Sequence, residues 1–179
     1  AMMLAFAACG SSPAPAASEA PAAEDDGTVK VAIIKQLDHA SLDEIANAVA
    51  AELDKIAADN NVTIEYDITS GQNDQTILKQ LSDQAIADQV DAIIPIATLA
   101  ATTMATATED NQIPVIYAAI SDPGEAQLTG IANVTGTSDA LNTPFILDMM
   151  LKANPDIETV GLLYSNSEAN SVTPIREAK

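Results

Sequence analysis

The feature that most constrains the fold is an alternation of β-branched strand patterns with amphipathic helix patterns, repeated four times along the chain. Strand patterns occupy residues 29–34, 62–68, 91–96 and 114–118, and a weaker pattern at 130–136 predicts an edge strand. Apolar residues at helical spacing predict helices at 42–57, 77–86, 100–109 and 143–153. Strands that are separated by helices pair in parallel through right-handed crossovers. The sequence therefore predicts an α/β fold built on a doubly wound parallel sheet.

Two of the predicted helices carry start signals. Ser41 and Glu44 have the three-residue spacing of a capping box, in which each side chain accepts a free backbone N–H of the other residue. Thr143 offers an N-cap hydroxyl, and Pro144 follows it at the first helical position. We therefore expect Ser41 to cap the first helix and Thr143 to cap the last of the four.

The end of the chain repeats the strand-then-helix pattern. Residues 158–164 predict a further strand, and a further helix pattern begins near Pro174. A single strand with part of a helix cannot bury its own apolar surface. The sequence therefore predicts an N-terminal α/β lobe over residues 28–155 and the start of a second, truncated α/β lobe over residues 156–179.

The first 27 residues have a different character. Residues 2–8 are apolar and end in small residues before Cys9, a pattern that resembles a bacterial lipobox, in which the cysteine is lipidated. Residues 10–27 are rich in Ala, Pro, Ser and acidic residues and predict a disordered tether. A plain secretory signal, or a short helix with a buried cysteine, is the alternative. The favoured interpretation is a clipped signal remnant over residues 1–9, with an extracytoplasmic protein anchored to the bacterial cell membrane by lipid at Cys9.

Charge and motif content exclude several functions. The formal net charge is −19, from 26 acidic and 7 basic residues, and so acidic a surface repels nucleic acid. No apolar stretch approaches the length of about 18 residues that predicts a transmembrane helix. His39 is the only histidine and Cys9 the only cysteine, so no metal-ligand pattern is present. The sequence has no GxGxxG turn, Walker P-loop or GxSxG elbow, and we expect neither a cofactor nor an enzyme.

Five segments, in order and at matching spacing, resemble the substrate-binding proteins of ABC transporters of the tryptophan-binding, TrpX-like type. They are DHASLD at 38–43, IATLAA at 96–101, AISDP at 119–123, NVTGTSD at 133–139 and YSNSEANS at 164–171. Ala40 and Leu99 stand where such proteins typically have proline. The resemblance covers the chain from about residue 29 onward.

The resemblance implies a two-lobed fold of the type I periplasmic-binding-protein class. It further implies a solute-binding protein that holds a small ligand between its lobes and delivers it to the permease of an ABC importer. An amino acid, aromatic or otherwise, is the expected ligand. A ligand-sensing module of a signalling receptor is the alternative for the same fold.

Candidate ligand contacts follow from the predicted topology, because ligands of such sheets bind at the carboxyl ends of the strands. The loops there cover residues 36–40, 70–73, 97–99 and 120–123, with 165–170 facing them from the second lobe. The candidate contacts are Thr98 and Ser121 for a carboxylate, Asp122 or Glu168 for an ammonium group, Asn73 and Asn170 for either, Tyr117 and Tyr164 for a side-chain pocket, and His39 and Ser165 at the cleft edge.

Each candidate also has a simpler structural interpretation. Thr98, Ser121 and Asn73 are residue types that favour helix N-caps. Asp122 precedes a proline and so has the pattern of an ordinary turn. Tyrosines at strand ends commonly pack against neighbouring strands, and His39 could be an exposed surface residue. The sequence leaves these alternatives open.

Overall fold

The computed structural model describes residues 27–165 and 168–179, so Cys9 and nearly all of the predicted tether lie outside the described residues. The strands of the described part are β1 (Thr28–Lys35), β2 (Thr63–Ser70), β3 (Ala92–Ile96), β4 (Val115–Ile120) and β5 (Val134–Ser138). Its helices are α1 (Ala40–Asn60), α2 (Gln75–Ala87), α3 (Thr98–Ala107), α4 (Thr143–Ala153) and α5 (Val172–Ala178), with a 3₁₀ turn at Ala169–Ser171. None of these helices combines the length and apolar character that a membrane crossing requires.

The strands form one parallel sheet in the order β2-β1-β3-β4-β5. β1 pairs with β2 over its whole length, from Thr28 opposite Thr63 to Lys35 opposite Ser70. On its other side β1 pairs with β3, so the direction of winding reverses between these two strands. The predicted α/β fold with a doubly wound parallel sheet is confirmed, and β5 is an edge strand as predicted. The winding reversal opens a crevice between the loops that follow β1 and β3.

Helices cover both faces of the sheet. On one face α1 packs through Ala46 and Ala50 in a buried cluster with Val31 and Ile33 of β1 and Ile96 of β3. On the opposite face α2 and α3 form a second buried cluster, made of Ile34, Leu78, Ala85, Ile93, Ala100, Met104 and Val115. Neighbouring residues of β1 therefore point into two different cores, which explains why the strand is almost continuously apolar.

Two of the predicted helix starts are wrong by one or two residues. The N-cap of α1 is His39, whose Nδ1 accepts the N–H of Ser41 (3.2 Å). Its backbone is extended (φ −153°, ψ 138°), as an N-cap requires, whereas Ser41 is already helical. The N-cap of α4 is Asn142, whose Oδ1 accepts the N–H of Phe145 (3.1 Å), and Thr143 is the first helical residue.

The strand predicted at 158–164 is not formed, and these residues have no regular secondary structure. A strand needs a neighbouring strand to satisfy its backbone N–H and C=O groups, and β5 pairs only with β4 among the described strands. The apolar side chains of this segment are exposed, with Leu163 fully exposed. The helix predicted near Pro174 is confirmed as α5.

α4 does not join either core of the sheet. Its main contact is with α5. Four of its apolar side chains are 43–54% exposed: Phe145, Ile146, Met149 and Leu151. Together with residues 158–164, α4 thus presents apolar surface that the described residues leave uncovered.

Candidate ligand-binding cleft

The site is organised by Gln36, which directly follows β1 and is 5% exposed. Its backbone N–H donates to the carbonyl of Ile96 at the end of β3 (3.0 Å), and its own carbonyl accepts the N–H of Asn73 (2.8 Å). Its side-chain Oε1 accepts the N–H of Leu99 in the first turn of α3 (2.9 Å), and its Nε2 donates to Asn73 Oδ1 (2.8 Å). One buried side chain therefore joins the loops that follow β1, β2 and β3.

A cleft of about 370 Å³ opens beside this network, at the winding reversal of the sheet. Its polar wall includes Gln36, Asn73, Thr98, Glu125, Gln127 and Glu168. Three of the predicted contacts, Asn73, Thr98 and Glu168, are thus brought together at one place. Pockets for small molecules span about 300–1,000 Å³, so a molecule of amino-acid size fits.

The backbone around this edge of the sheet is strained. Four non-glycine residues with positive φ lie at or just beyond the carboxyl ends of the strands: Gln72 (51°), Asn73 (56°), Ala97 (75°) and Ala119 (58°). A fifth, Gln127 (57°), lies farther along the loop after β4 and lines the cleft. Each such conformation costs on the order of 1–3 kcal/mol and persists only where surrounding contacts hold it. Strain of this kind concentrates at binding sites, where it fixes the positions of ligand-facing groups before the ligand arrives.

The start of α3 shows how that strain is held. Its N-cap is Ala97 (φ 75°, ψ 165°), which has no side chain that could cap the helix. The N–H of Ala97 donates to the carbonyl of Ala118 (3.1 Å), and the N–H of Leu99 is capped from a distance by Gln36. Thr98 is therefore the first residue of α3 and not its cap. In α2, likewise, the cap is Asp74 and not Asn73. The hydroxyl of Thr98 and the NH₂ group of Asn73 make no hydrogen bond within the described residues.

Ser121 and Asp122 hold the turn after β4 and do not line the cleft. Ser121 Oγ donates to Asp139 Oδ1 (3.0 Å). Asp122 Oδ1 accepts the N–H of Glu125 (2.9 Å), and its Oδ2 accepts the hydroxyl of Thr173 on α5 (2.6 Å). The hydrogen bond from Thr173, followed by that from the Glu125 N–H, holds the pKa of Asp122 below its ordinary value of 3.8. Both carboxylate oxygens of Asp122 are thus engaged, Oδ1 within the turn and Oδ2 with α5.

His39 lies on a loop that ionic contacts tie down. Lys35 Nζ contacts both Asp38 Oδ1 (3.0 Å) and Asp43 Oδ1. Hydrogen bonds to Asp43 and then to Asp38 raise the pKa of Lys35. Hydrogen bonds from Lys35 and then from Ser70 lower the pKa of Asp38. His39 itself is the exposed cap of α1, and it does not line the cleft.

The tyrosines fall in different places. Tyr117 is 9% exposed and packs in a third buried cluster with Ala101, Ala105 and Leu128, so the structure assigns it to the core. Tyr164 is 49% exposed. It lines a second cavity of about 440 Å³, together with Ser165, Glu168 and residues of α5. Asn170 is exposed on the 3₁₀ turn.

α5 lies against the turn after β4, next to the cleft. Besides the contact between Thr173 and Asp122, Arg176 lies 3.7 Å from the carboxylate of Glu125. Glu168, which precedes α5, lines both this second cavity and the cleft. Of the segment predicted to face the cleft, Glu168 is thus the residue that lines it.

Other hollows lack these features. Two other cavities have a volume of about 500 Å³ each. One lies beside β1, β2 and α2, and the other lies between α2 and α3. Neither contains a residue predicted for the site, and neither lies at the winding reversal. Within the described ranges, no three His, Cys, Asp or Glu side chains are grouped so as to hold a metal ion.

An open, doubly wound parallel sheet with a polar cleft at its winding reversal defines the chain as an α/β ligand-binding domain. The sequence model of the family described as "ABC transporter substrate binding protein" matches residues 30–179. The chain therefore belongs to the family of ABC transporter substrate-binding proteins.

Individual relatives agree with this assignment. The chain is 30% identical over 146 residues to the tyrosine-binding protein of Clostridioides difficile (strain R20291), a match over 79% of this chain and 42% of that protein. The crystal structure of an ABC domain from Streptococcus pneumoniae in complex with L-Trp has 33% identity and a TM-score of 0.77, covering 85% of this chain and 52% of that one. The ligand-free, open structure of a substrate-binding protein with adhesive properties from Clostridium difficile has 29% identity and a TM-score of 0.66. This match covers 83% of this chain and 52% of that one.

These similarities confirm the fold of the type I periplasmic binding proteins. The chain spans about half the length of the relatives it matches.

Proposed function

We propose that this chain is the first part of an extracytoplasmic solute-binding lipoprotein that binds an amino acid between two lobes and delivers it, chemically unchanged, to an ABC permease. An aromatic amino acid is the favoured ligand, because a tyrosine-binding protein and a tryptophan complex are among its relatives. Closure of the lobes around the ligand would create the form that the permease recognises.

The observation that carries this proposal is the chemistry of the 370 Å³ cleft. Asn73 and Thr98 offer hydrogen-bond donors from the loops after β2 and β3. Glu125 and Glu168 offer carboxylates from the turn after β4 and from the C-terminal segment. A zwitterionic amino acid needs donors for its carboxylate and acceptors for its ammonium group, and this cleft has both.

The uncovered apolar surface supports a second lobe. α4 exposes Phe145 and Met149, and residues 158–164 have a strand pattern without a partner strand. Both fit elements whose sheet is completed elsewhere in the protein. Because α4 contacts α5 and not the cores of the first sheet, we propose that the second lobe begins before α4, near residue 140, earlier than the boundary at 156 that the sequence predicts.

Ligand binding is tested on the full-length protein by thermal shift with tyrosine, tryptophan, phenylalanine and leucine. A ligand at about 100 times its Kd stabilises the folded state by about 2.7 kcal/mol, which raises the melting temperature measurably. Thr98→Val should weaken that effect, while Glu52→Gln, an exposed change on α1, should leave it unchanged. A full-length protein whose melting temperature responds to none of these amino acids would contradict the proposal, as would consumption of the ligand.

The lipid anchor is proposed from the lipobox-like sequence alone, since Cys9 lies outside the described residues. The test is a Cys9→Ser substitution in the bacterial cell. The unchanged protein should fractionate with membranes and the variant should be released. Membrane association that survives the substitution would rule out lipidation at Cys9.

A further inference from the structure

We infer that Gln36 is a positioning residue that turns the amide of Asn73 so that its NH₂ group faces the cleft, which makes this wall selective for a ligand carboxylate. The inference rests on the proposed function and deepens it. It assigns the carboxylate of the ligand to the β2 and β3 loops, and it assigns Asn73 the role of donor, a choice that the sequence leaves open.

The orientation follows from a backbone group whose chemistry is fixed. The N–H of Leu99 can only donate, so the atom of Gln36 that lies 2.9 Å from it must be the carbonyl oxygen, Oε1. The NH₂ end of Gln36 then lies 2.8 Å from the side chain of Asn73 and must meet an acceptor, which is Oδ1. Asn73 is left with its two N–H donors for the cleft. The orientation of both amides is thus determined by one peptide N–H.

Burial keeps this arrangement in place. Gln36 is 5% exposed, and its backbone is bonded to both neighbouring loops, to Ile96 and to Asn73. Rotating its amide by half a turn would place NH₂ against the Leu99 N–H and oxygen against Asn73 Oδ1. Donor would then face donor at Leu99 and acceptor would face acceptor at Asn73. The partly buried N–H of Leu99 would lose the acceptor that Gln36 supplies.

The consequence is a cleft with a defined polarity. Asn73 and the hydroxyl of Thr98 supply donors on the side of the sheet where Gln36 lies. The carboxylates that line the cleft belong to Glu125 and Glu168, which come from the turn after β4 and from the C-terminal segment. A neutral amide in place of the ligand carboxylate brings its own NH₂ group toward these donors, so it should bind more weakly than the acid.

The experiment compares L-tyrosine with L-tyrosinamide, and L-tryptophan with L-tryptophanamide, by calorimetry on the full-length protein. Two substitutions separate positioning from charge. Gln36→Met removes both amide contacts without adding charge and lets the Asn73 amide turn. Gln36→Glu keeps an acceptor for Leu99 but forces Asn73 to donate to it and so to present its carbonyl to the ligand. We expect the preference for the acid over the amide to fall by about tenfold in both variants, as for the loss of one hydrogen bond to a charged group.

Asn133→Asp is the matched control. Its amide is also partly buried and donates to Thr108 Oγ1 (3.0 Å) and to the carbonyl of Ile113 (2.8 Å), at the opposite edge of the sheet. It should lower stability without changing the preference for the acid over the amide. If both Gln36 variants fail to fold, Asn73→Leu, at an exposed position, provides the second test, since it removes the NH₂ donors without adding charge and should lower the preference by about tenfold.

The outcomes are distinct. Loss of preference in Gln36→Met supports the inference. A normal preference in Gln36→Met with a loss only in Gln36→Glu would mean that added charge is the cause and would overturn it, as would a preference that survives Asn73→Leu. If the unsubstituted full-length protein binds neither tyrosine nor tryptophan, the proposed function fails, and this result is recognisable before any variant is measured.

Discussion

Replacing Gly136 by alanine tests how closely β5 is packed against β4. Gly136 lies opposite Tyr117 in the parallel pairing. An added Cβ would lie 2.1 Å from the backbone oxygen of Tyr117 and 2.4 Å from Cδ2 of its ring. Ordinary contact begins at 3.4 Å, so the two strands would have to separate by about 1.3 Å at this point. The ring could turn aside, but the carbonyl is fixed in β4, and β5 must therefore move.

The cost has two parts. Forcing extra atoms into a packed site costs about 1–3 kcal/mol. A separation of this size also breaks inter-strand hydrogen bonds, each with a net value of about 0.5–1.5 kcal/mol. We expect Gly136→Ala to lower the free energy of unfolding by about 2–4 kcal/mol, which corresponds to a drop in melting temperature of roughly 4–16 °C.

The assay is urea and thermal unfolding of the full-length protein, with Glu52→Gln on α1 as the control. The side chain of Glu52 is exposed on α1, so that variant should stay within about 0.5 kcal/mol of the parent. Because Ser121 Oγ donates to Asp139 Oδ1 just beyond β5, amide exchange in the turn after β4 should also accelerate in Gly136→Ala. An unchanged urea midpoint for Gly136→Ala would refute the argument, since it would mean that β5 is not packed against the Tyr117 carbonyl.

Three further results are expected. Leu78→Ala, at a fully buried position, should cost about 2–5 kcal/mol in urea unfolding, and Val62→Ala, at a 43% exposed position before β2, under about 1 kcal/mol; equal effects would contradict the described core. Thr173→Val should raise the pKa of Asp122 toward 3.8, as measured by NMR titration. In the parent the pKa is lowered, so the contact between Thr173 and Asp122 stabilises the fold above about pH 3.8. This stabilisation is lost as the pH falls through the lowered pKa. Glu168→Gln should weaken amino-acid binding by about tenfold in calorimetry, and unchanged affinity would remove Glu168 from the ammonium site.

Periodicity predicts this fold well because each pattern is long enough to be distinctive. The apolar runs of β1 and β3 indicate burial on both faces, and the amphipathic patterns of α1 and α2 indicate one buried face each. Right-handed crossovers then leave few arrangements of the strands. The position of the cleft follows as well, since it lies where the winding reverses.

Helix starts are predicted less well, because several residues near a start can supply the cap. His39 and Asn142 cap their helices although Ser41 and Thr143 match the favoured patterns better. The cap of α3 is Ala97, a residue that no propensity would select, since the capping acceptor comes from Gln36. A local pattern cannot report an acceptor that lies far away in the sequence.

Gln36 itself illustrates what sequence reasoning misses. Its side-chain partners, Asn73 and Leu99, are 37 and 63 residues away. The available signal is a polar residue directly after a buried apolar strand, next to the winding reversal. The strand predicted at 158–164 fails for a related reason, because the alternation of apolar residues does not say whether a partner strand is within reach.

The exposed apolar side of α4 has a consequence for biosynthesis. β1 to β5 and α1 to α3 bury their apolar side chains among themselves, so this part can fold while later residues are still being synthesised. Phe145 and Met149 would meanwhile stay open to any hydrophobic surface that they meet. An exposed apolar segment of this kind makes the nascent chain a target for chaperone binding. Where no chaperone binds, it promotes association with other copies of the same chain.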